Sequence, residues 1–142
     1  MKNVAKYIET LRVIAEDLTP VSKAKIAAMI VYRGRIISIG VCQWKSHPFA
    51  AKYSKHPEAI WLHAEADAIF KAKRKLSVAE FKKSVLIIVR TKQDTDGSTT
   101  FGISKPCSGC EKCILEHDIK TVIYTETSEK CILKYTTVNY GV

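Results

Sequence analysis

The apolar positions near the start of the chain repeat with the period of a helix. They recur every three or four residues, at Val4, Ile8, Leu11, Ile14 and Leu18. This spacing places the apolar side chains on one face of a helix. Pro20 lacks the backbone N–H that a continuing helix requires, so the helix is expected to end there. The pattern predicts an amphipathic helix that packs on a sheet.

Two continuous apolar runs follow this helix. The segment "AKIAAMIVYRGRIISIGV" predicts two strands, Lys25–Tyr32 and Arg35–Val41. Arg33 and Gly34 join them in a tight hairpin, in which the glycine supplies a positive φ. Runs that are apolar at nearly every position, rather than at alternate positions, indicate strands that are covered on both faces.

The rest of the chain predicts a long loop over residues 42–60 and then alternating helices and strands. "WLHAEADAIFKAKRK" predicts a helix with a closely packed row of alanines, "SVLIIVR" a buried strand, and the residues from Cys107 to about Asp118 a short helix. The last strands lie in "TVIYTE" and "KCILKYTTV", separated only by "TSE". Because a parallel connection needs a dozen or more residues, this pair should be an antiparallel hairpin. We predict a three-layer α/β/α fold around a central five-stranded mixed sheet.

Composition indicates one globular domain over residues 1–142. The chain is 46% hydrophobic but has no apolar run long enough to cross a bilayer, and its first residues include acids where a signal peptide would be apolar. Three of the five cysteines lie within residues 107–113. This crowding suits a metal site in a reducing compartment better than a disulfide framework. We therefore expect a cytoplasmic protein that does not associate with membranes.

Two of the predicted helices begin with residues that bind metals. One starts at His63-Ala64-Glu65 and the other at Pro106-Cys107-Ser108-Gly109-Cys110. A histidine and two thiolates supply three ligands to a tetrahedral Zn²⁺ and leave a fourth position for water, which is typical of catalytic zinc. Glu65 is too close to His63 along the chain to be a comfortable ligand, but it can reach that water. We predict that Glu65 acts as a proton shuttle.

The residues "HAE" and "PCSGC" match the H-x-E and P-C-x-x-C signature of zinc-dependent nucleobase deaminases. Over most of its length the chain resembles the cytidine deaminase-like superfamily, and its motifs are most similar to those of the deoxycytidylate deaminase branch, which includes phage enzymes. The resemblance implies zinc bound by His63, Cys107 and Cys110, with Glu65 as general acid and base. It also implies hydrolytic deamination of a cytosine nucleotide, with deoxycytidylate as the expected substrate, in a homo-oligomer.

The resemblance further implies that the main chain around Ala64 and Lys105 holds the edge of the base. The residues expected to contact the substrate are Gln43, Trp44, Ala64, Ser104 and Lys105, although Trp44 could instead cover the core. Gly40-Val41-Cys42-Gln43 stands where family members commonly carry an asparagine that holds the sugar. Gln43 or another loop residue is therefore expected to hold the sugar. Unlike the motifs, which resemble the deoxycytidylate deaminase branch, the predicted hairpin at the end of the chain is similar to that of free-cytidine deaminases.

The net charge of +9 keeps other functions open, because a basic excess usually indicates anionic ligands. The lysine-rich segments "FKAKRK" and "FKKS" could bind single-stranded DNA or RNA whose cytosine or adenine is deaminated, although a solvated surface is favoured. A free cytidine or deoxycytidine deaminase and a non-catalytic, zinc-stabilised nucleic-acid-binding module are further alternatives. His47 and His56 could form a second metal site. Cys113 is expected to be a buried thiol rather than a ligand.

Overall fold

A six-stranded mixed sheet forms the centre of the described part of the protein. The computed structural model describes residues 2–18, 25–46, 61–93, 96–128 and 132–141. The helices are α1 (Val4–Glu16), α2 (Ala64–Ala72), α3 (Val78–Phe81) and α4 (Ser108–Glu116). The strands are β1 (Lys25–Tyr32), β2 (Arg35–Val41), β3 (Gln43–Ser46), β4 (Trp61–Leu62), β5 (Val85–Gln93), β6 (Thr99–Gly102), β7 (Thr121–Thr125) and β8 (Tyr135–Asn139). None of the helices in these ranges combines the length and the apolar character of a membrane span.

The sheet has the strand order β2-β1-β5-β7-β8. Strand β1 is antiparallel to β2 and β5, β5 is parallel to β7, and β7 is antiparallel to β8. The five predicted strands, their mixed directions and the final antiparallel hairpin are therefore confirmed. Strand β6, which pairs with the second half of β5, adds a sixth strand. The sequence did not reveal it because it lies within the turn-rich segment "QDTDGSTTFG".

Strands β3 and β4 form a separate two-stranded sheet. In it Gln43 pairs with Leu62, the residue before His63. The first residues of the predicted long loop are therefore extended and lie beside the start of α2. Residues 47–60, the rest of that predicted loop, lie outside the described ranges.

Helices cover both faces of the large sheet, which confirms the predicted three layers. Helix α1 packs on one face, over a core that includes Ile87 and Val89 of β5. Helices α2 and α4 pack on the other face, over a core that includes Leu86 and Ile88. Successive residues of β5 thus alternate between two buried faces. This explains why nearly every position of the strand is apolar.

Helix α2 lies unusually close to strand β2, and Gly40 is the residue that permits it. A Cβ atom on Gly40 would lie 2.3 Å from both the carbonyl oxygen of Ala64 and the backbone nitrogen of Ala68. Both alanines are fully buried, as the predicted alanine row required. The Ser38 hydroxyl adds a 2.6 Å hydrogen bond to the Ala68 carbonyl. These contacts fix the first turn of α2 against the end of β2.

Candidate active site

The side chains of His63, Cys107 and Cys110 meet at one point between the first turns of α2 and α4. Their ligand atoms all lie within 4.8 Å of one another. The His63 Nδ1 atom is 3.3 Å from the Cys110 Sγ atom and 3.7 Å from the Cys107 Sγ atom. A tetrahedral zinc with Zn–N near 2.0 Å and Zn–S near 2.3 Å holds such atoms about 3.5 Å apart. The three residues are therefore placed to bind a metal ion.

Local backbone geometry brings these ligands together. His63 and Cys107 are the N-cap residues of α2 and α4, and both have extended backbone conformations. The Cys110 N–H, in the first turn of α4, points at the Cys107 Sγ atom 3.5 Å away. Each helix thus presents its N-terminal end, with its partial positive charge, to the ligand cluster. This charge favours the thiolate forms that metals bind.

Protons are unevenly shared within the ligand cluster. A hydrogen bond from Cys110, assisted by His63, lowers the pKa of the Cys107 thiol. The same hydrogen bond, together with burial, raises the pKa of Cys110. Hydrogen bonding to Cys107 also raises the pKa of His63. Thiolates and an imidazole that compete for protons in this way form a donor set that suits zinc, which replaces those protons when it binds.

Glu65 is a buried carboxyl group beside the ligand cluster. Only 6% of its surface is exposed. Burial raises the pKa of Glu65, while the charge of His63 acts in the opposite direction, and its carboxyl group interacts with the Cys110 thiol. A carboxyl group with a raised pKa next to a metal site can act as an acid as well as a base. Its predicted role as the proton shuttle stays a prediction.

Asp67 joins α2 to the end of β2 and the start of β3, and the sequence interpretation missed it. Its buried Oδ2 atom accepts hydrogen bonds from the Val41 N–H at 3.1 Å, from Gln43 Nε2 at 3.1 Å and from Lys71 Nζ at 3.0 Å. The Gln43 amide is therefore held beside the first turn of α2. An acid four residues after His63, on the same face of an alanine-rich helix, was the available signal.

The structure places the predicted substrate-contact residues in different environments. Ala64 is fully buried at the start of α2, Lys105 is exposed, and the backbone of Trp44 belongs to β3. Ser104 is buried, and its hydroxyl donates to the Ile88 carbonyl and accepts from the Thr125 N–H, both at 2.8 Å. The Ser104 side chain thus anchors the segment that leads to Cys107. Contact of these residues with substrate stays a prediction.

Cys113, which was expected to be a buried thiol, and Cys42 both lie in or against the core. Cys113 is fully buried in the core under α2 and α4. Cys42 packs against the same core, where burial, followed by the charge of Glu65, raises the pKa of its thiol to about 11. The Cys42 thiol also hydrogen-bonds to the backbone of Ala64, the residue before Glu65. His47 and His56, proposed for a second metal, lie outside the described residues.

Comparisons with known proteins agree with this architecture. A family model, described as the cytidine and deoxycytidylate deaminase zinc-binding region, matches residues 1–126. No curated protein sequence matches the chain. The solved structure of a cytidine deaminase from Burkholderia pseudomallei is 16% identical and superposes with a TM-score of 0.62, covering 96% of this chain and 91% of that one.

The dCMP deaminase of the cyanophage S-TIM5 has a similar fold. Its apo form is 20% identical, with a TM-score of 0.53 over 83% of this chain and 78% of that chain. Its complex with dCMP and dUMP is also 20% identical, with a TM-score of 0.51 over 86% and 81%. At these identities the structural likeness supports the fold. The match of the family model to residues 1–126 establishes the family. The chain belongs to the cytidine and deoxycytidylate deaminases, a family of zinc-binding hydrolytic deaminases.

Proposed function

We propose that this protein removes the amino group of a cytosine nucleotide by hydrolysis, with deoxycytidylate as its substrate, and releases ammonia and deoxyuridylate. One observation carries the proposal. The buried carboxyl group of Glu65 lies beside three side chains that suit zinc and is not itself one of the three. A purely structural metal site has no use for such a carboxyl group, whereas hydrolytic deamination requires a group that moves protons.

His63, Cys107 and Cys110 would hold the zinc ion. When bound, zinc supplies a Lewis acid that lowers the pKa of a water molecule toward neutrality. Glu65 takes one proton from the attacking water and delivers it to the cytosine ring N3. It then takes the second proton of that water and delivers it to the amino nitrogen, so that the C4–N bond breaks, ammonia leaves and a C4 carbonyl remains. The raised pKa of Glu65, caused by its burial, allows the same carboxyl group to accept and then to release a proton.

The remaining predicted residues would position the nucleotide. The main chain at Ala64 and Lys105 would hold the edge of the base, and Trp44 would lie near it. Gln43 would contact the sugar with its amide held in place by Asp67, through the 3.1 Å hydrogen bond described above. The S-TIM5 enzyme, whose solved complex holds dCMP and dUMP, supports a mononucleotide as the ligand of this fold.

The surface charges favour a mononucleotide over a polynucleotide. Arg74 and Lys75, in the lysine-rich segment, follow the C-terminal end of α2, which is about 14 Å from the end that carries His63. Lys71, nearer the site, is instead paired with Asp67 at 3.0 Å. A polynucleotide that followed these cations would run away from the ligand cluster.

We further propose that the protein works in the cytoplasm as a homo-oligomer. Light scattering in solution can test the oligomeric state.

The Glu65→Gln variant tests the function. Ammonia release is measured with zinc-loaded protein on cytidine, deoxycytidine, deoxycytidylate and a cytosine-containing single-stranded oligonucleotide. We expect the wild type to prefer deoxycytidylate. Glu65→Gln should lower turnover by about a thousandfold or more while zinc content by atomic absorption stays at one per chain.

Glu9→Gln is the matched control, because Glu9 lies on α1 at the other face of the sheet and should leave turnover unchanged. If only the oligonucleotide is turned over, the substrate is a polynucleotide rather than a mononucleotide. Full activity of Glu65→Gln, or full activity without zinc, would refute the proposed mechanism.

A further inference from the structure

Two basic side chains converge at the end of strand β5. Arg90 and Lys92 are two residues apart on β5 and therefore point to the same face of the sheet. On the neighbouring strand β6, a Cβ atom added to Gly102 would lie 2.8 Å from Lys92 Cε and 3.0 Å from Arg90 Cδ. Both side chains thus cross the bare backbone of Gly102 and approach the same point.

This face of the sheet is the one that carries the candidate active site. Leu86 and Ile88 precede Arg90 at alternate positions of β5, and they pack under α2 and α4. Arg90 pairs with Ile26, whose carbonyl accepts a hydrogen bond from the Cys42 N–H at 3.3 Å. The charges of Glu65 and Arg90 both act on the Cys42 thiol. Arg90 is therefore a neighbour of the catalytic region.

Neither cation is neutralised within the fold. In the described ranges neither Arg90 nor Lys92 forms an ion pair. The buried Nε atom of Arg90 also has no hydrogen-bond partner among the described residues. A buried donor without a partner and two adjacent like charges both destabilise the folded protein. An anion held between the Arg90 guanidinium and the Lys92 ammonium would cancel the repulsion.

We propose that Arg90 and Lys92 form, over Gly102, a subsite for the phosphate group of the nucleotide substrate. This inference rests on the proposed function and deepens it, because it explains how the site would prefer a nucleotide to a nucleoside. The guanidinium group of Arg90 offers a planar fork of donors for phosphate oxygens, and Lys92 adds a flexible point charge. Gly102 leaves the space next to the sheet that the two basic side chains need in order to converge.

The test compares two substrates that differ only in the phosphate. The ratio of kcat/KM for deoxycytidylate to kcat/KM for deoxycytidine is measured for the wild type, Arg90→Gln, Lys92→Gln and Arg90→Lys. We expect Arg90→Gln to lower this ratio about tenfold to a hundredfold, mainly through KM, because the phosphate is remote from the reacting carbon. Arg90→Lys should restore part of the ratio, since it keeps the charge but loses the fork.

Further variants separate binding from folding. Gly102→Ala should lower the ratio because the added methyl group displaces both basic side chains. Lys82→Gln is the control, since this lysine caps α3 outside the site and its loss should leave the ratio unchanged. If Arg90→Gln does not fold, Lys92→Gln, which changes an exposed side chain, still tests the subsite. A ratio that stays at the wild-type value in both Lys92→Gln and Gly102→Ala would overturn the inference.

A binding measurement makes the inference independent of turnover. Inorganic phosphate is titrated calorimetrically into the zinc-loaded wild type and into Arg90→Gln. Binding to the wild type that is lost in Arg90→Gln supports the subsite, even if no cytosine substrate is turned over and the proposed function fails. Turnover of deoxycytidylate and deoxycytidine with equal kcat/KM, together with no binding of phosphate, would refute the subsite and leave the deaminase function standing.

Discussion

Gly40→Ala is the substitution whose effect the structure predicts most directly. The added Cβ atom would lie 2.3 Å from the Ala64 oxygen and 2.3 Å from the Ala68 nitrogen, and both are backbone atoms of α2. Comfortable contacts between such atoms require about 3.5 Å. Because no side chain can rotate away, α2 has to move outward by about 1 Å or the strand has to deform.

The expected cost follows from this displacement. Overpacking of a buried contact costs about 1–3 kcal/mol, and a clash with two backbone atoms places Gly40→Ala near the upper end. For a chain of this size about 3 kcal/mol corresponds to a fall in Tm of about 10 °C. His63 and Glu65 move with the first turn of α2. A 1 Å misplacement at a reacting centre can lower turnover about a hundredfold.

Thermal unfolding followed by circular dichroism measures the loss of stability, and ammonia release measures the loss of activity. Gly97→Ala is the matched control, because a Cβ atom there meets open space and only its φ of +86° is unfavourable. This control should cost about 1–2 kcal/mol and leave turnover unchanged. If Gly40→Ala melts within about 2 °C of the wild type and keeps its activity, the close packing of α2 on β2 does not position the site as argued.

The pH dependence of the zinc-free protein should reveal the buried carboxyl group, because burial raises the pKa of Glu65 above its ordinary value of 4.5. The ionised group therefore penalises the folded state at neutral pH, and the penalty disappears as the pH falls toward 4.5. Glu65→Gln should raise the Tm of zinc-free protein at pH 7 and change it little at pH 4; a lower Tm at pH 7 would contradict this account. Thiol reactivity should follow the lowered pKa of Cys107 and the raised pKa, about 11, of Cys42. At pH 7 iodoacetamide should modify Cys107 before Cys42 in zinc-free protein, and zinc should protect Cys107, as peptide mass spectrometry can show; equal labelling of both thiols would contradict it.

Some elements could be predicted because their causes lie within a few neighbouring residues. The bounds of β1 and β2 matched the sequence interpretation, since a glycine turn separates two apolar runs. The final hairpin followed from a connection that is too short for a parallel crossover. The three residues that are placed to bind a metal ion were recognisable because histidine and cysteine at helix starts, with a proline before Cys107, form a rare combination.

Other features escaped prediction because they depend on distant partners. Strand β6 is polar and short, and it exists because Gly102 and its neighbours pair with β5. The role of Asp67 depends on Val41 and Gln43, which lie more than twenty positions away. An acid within a helix does not reveal such partners by itself.

The sequence alone determined the layers, the two antiparallel hairpins and the residues that are candidates to bind a metal ion, because apolar periodicity, connection length and side-chain chemistry are local properties. Tertiary structure decided where those residues meet. It brought Nδ1 of His63 to within 3.3 Å of a sulfur that lies 47 positions away. It also placed Arg90 and Lys92 together over Gly102 on the face that carries the site. Distances between side chains on different elements arise from packing, and packing is set by the whole fold.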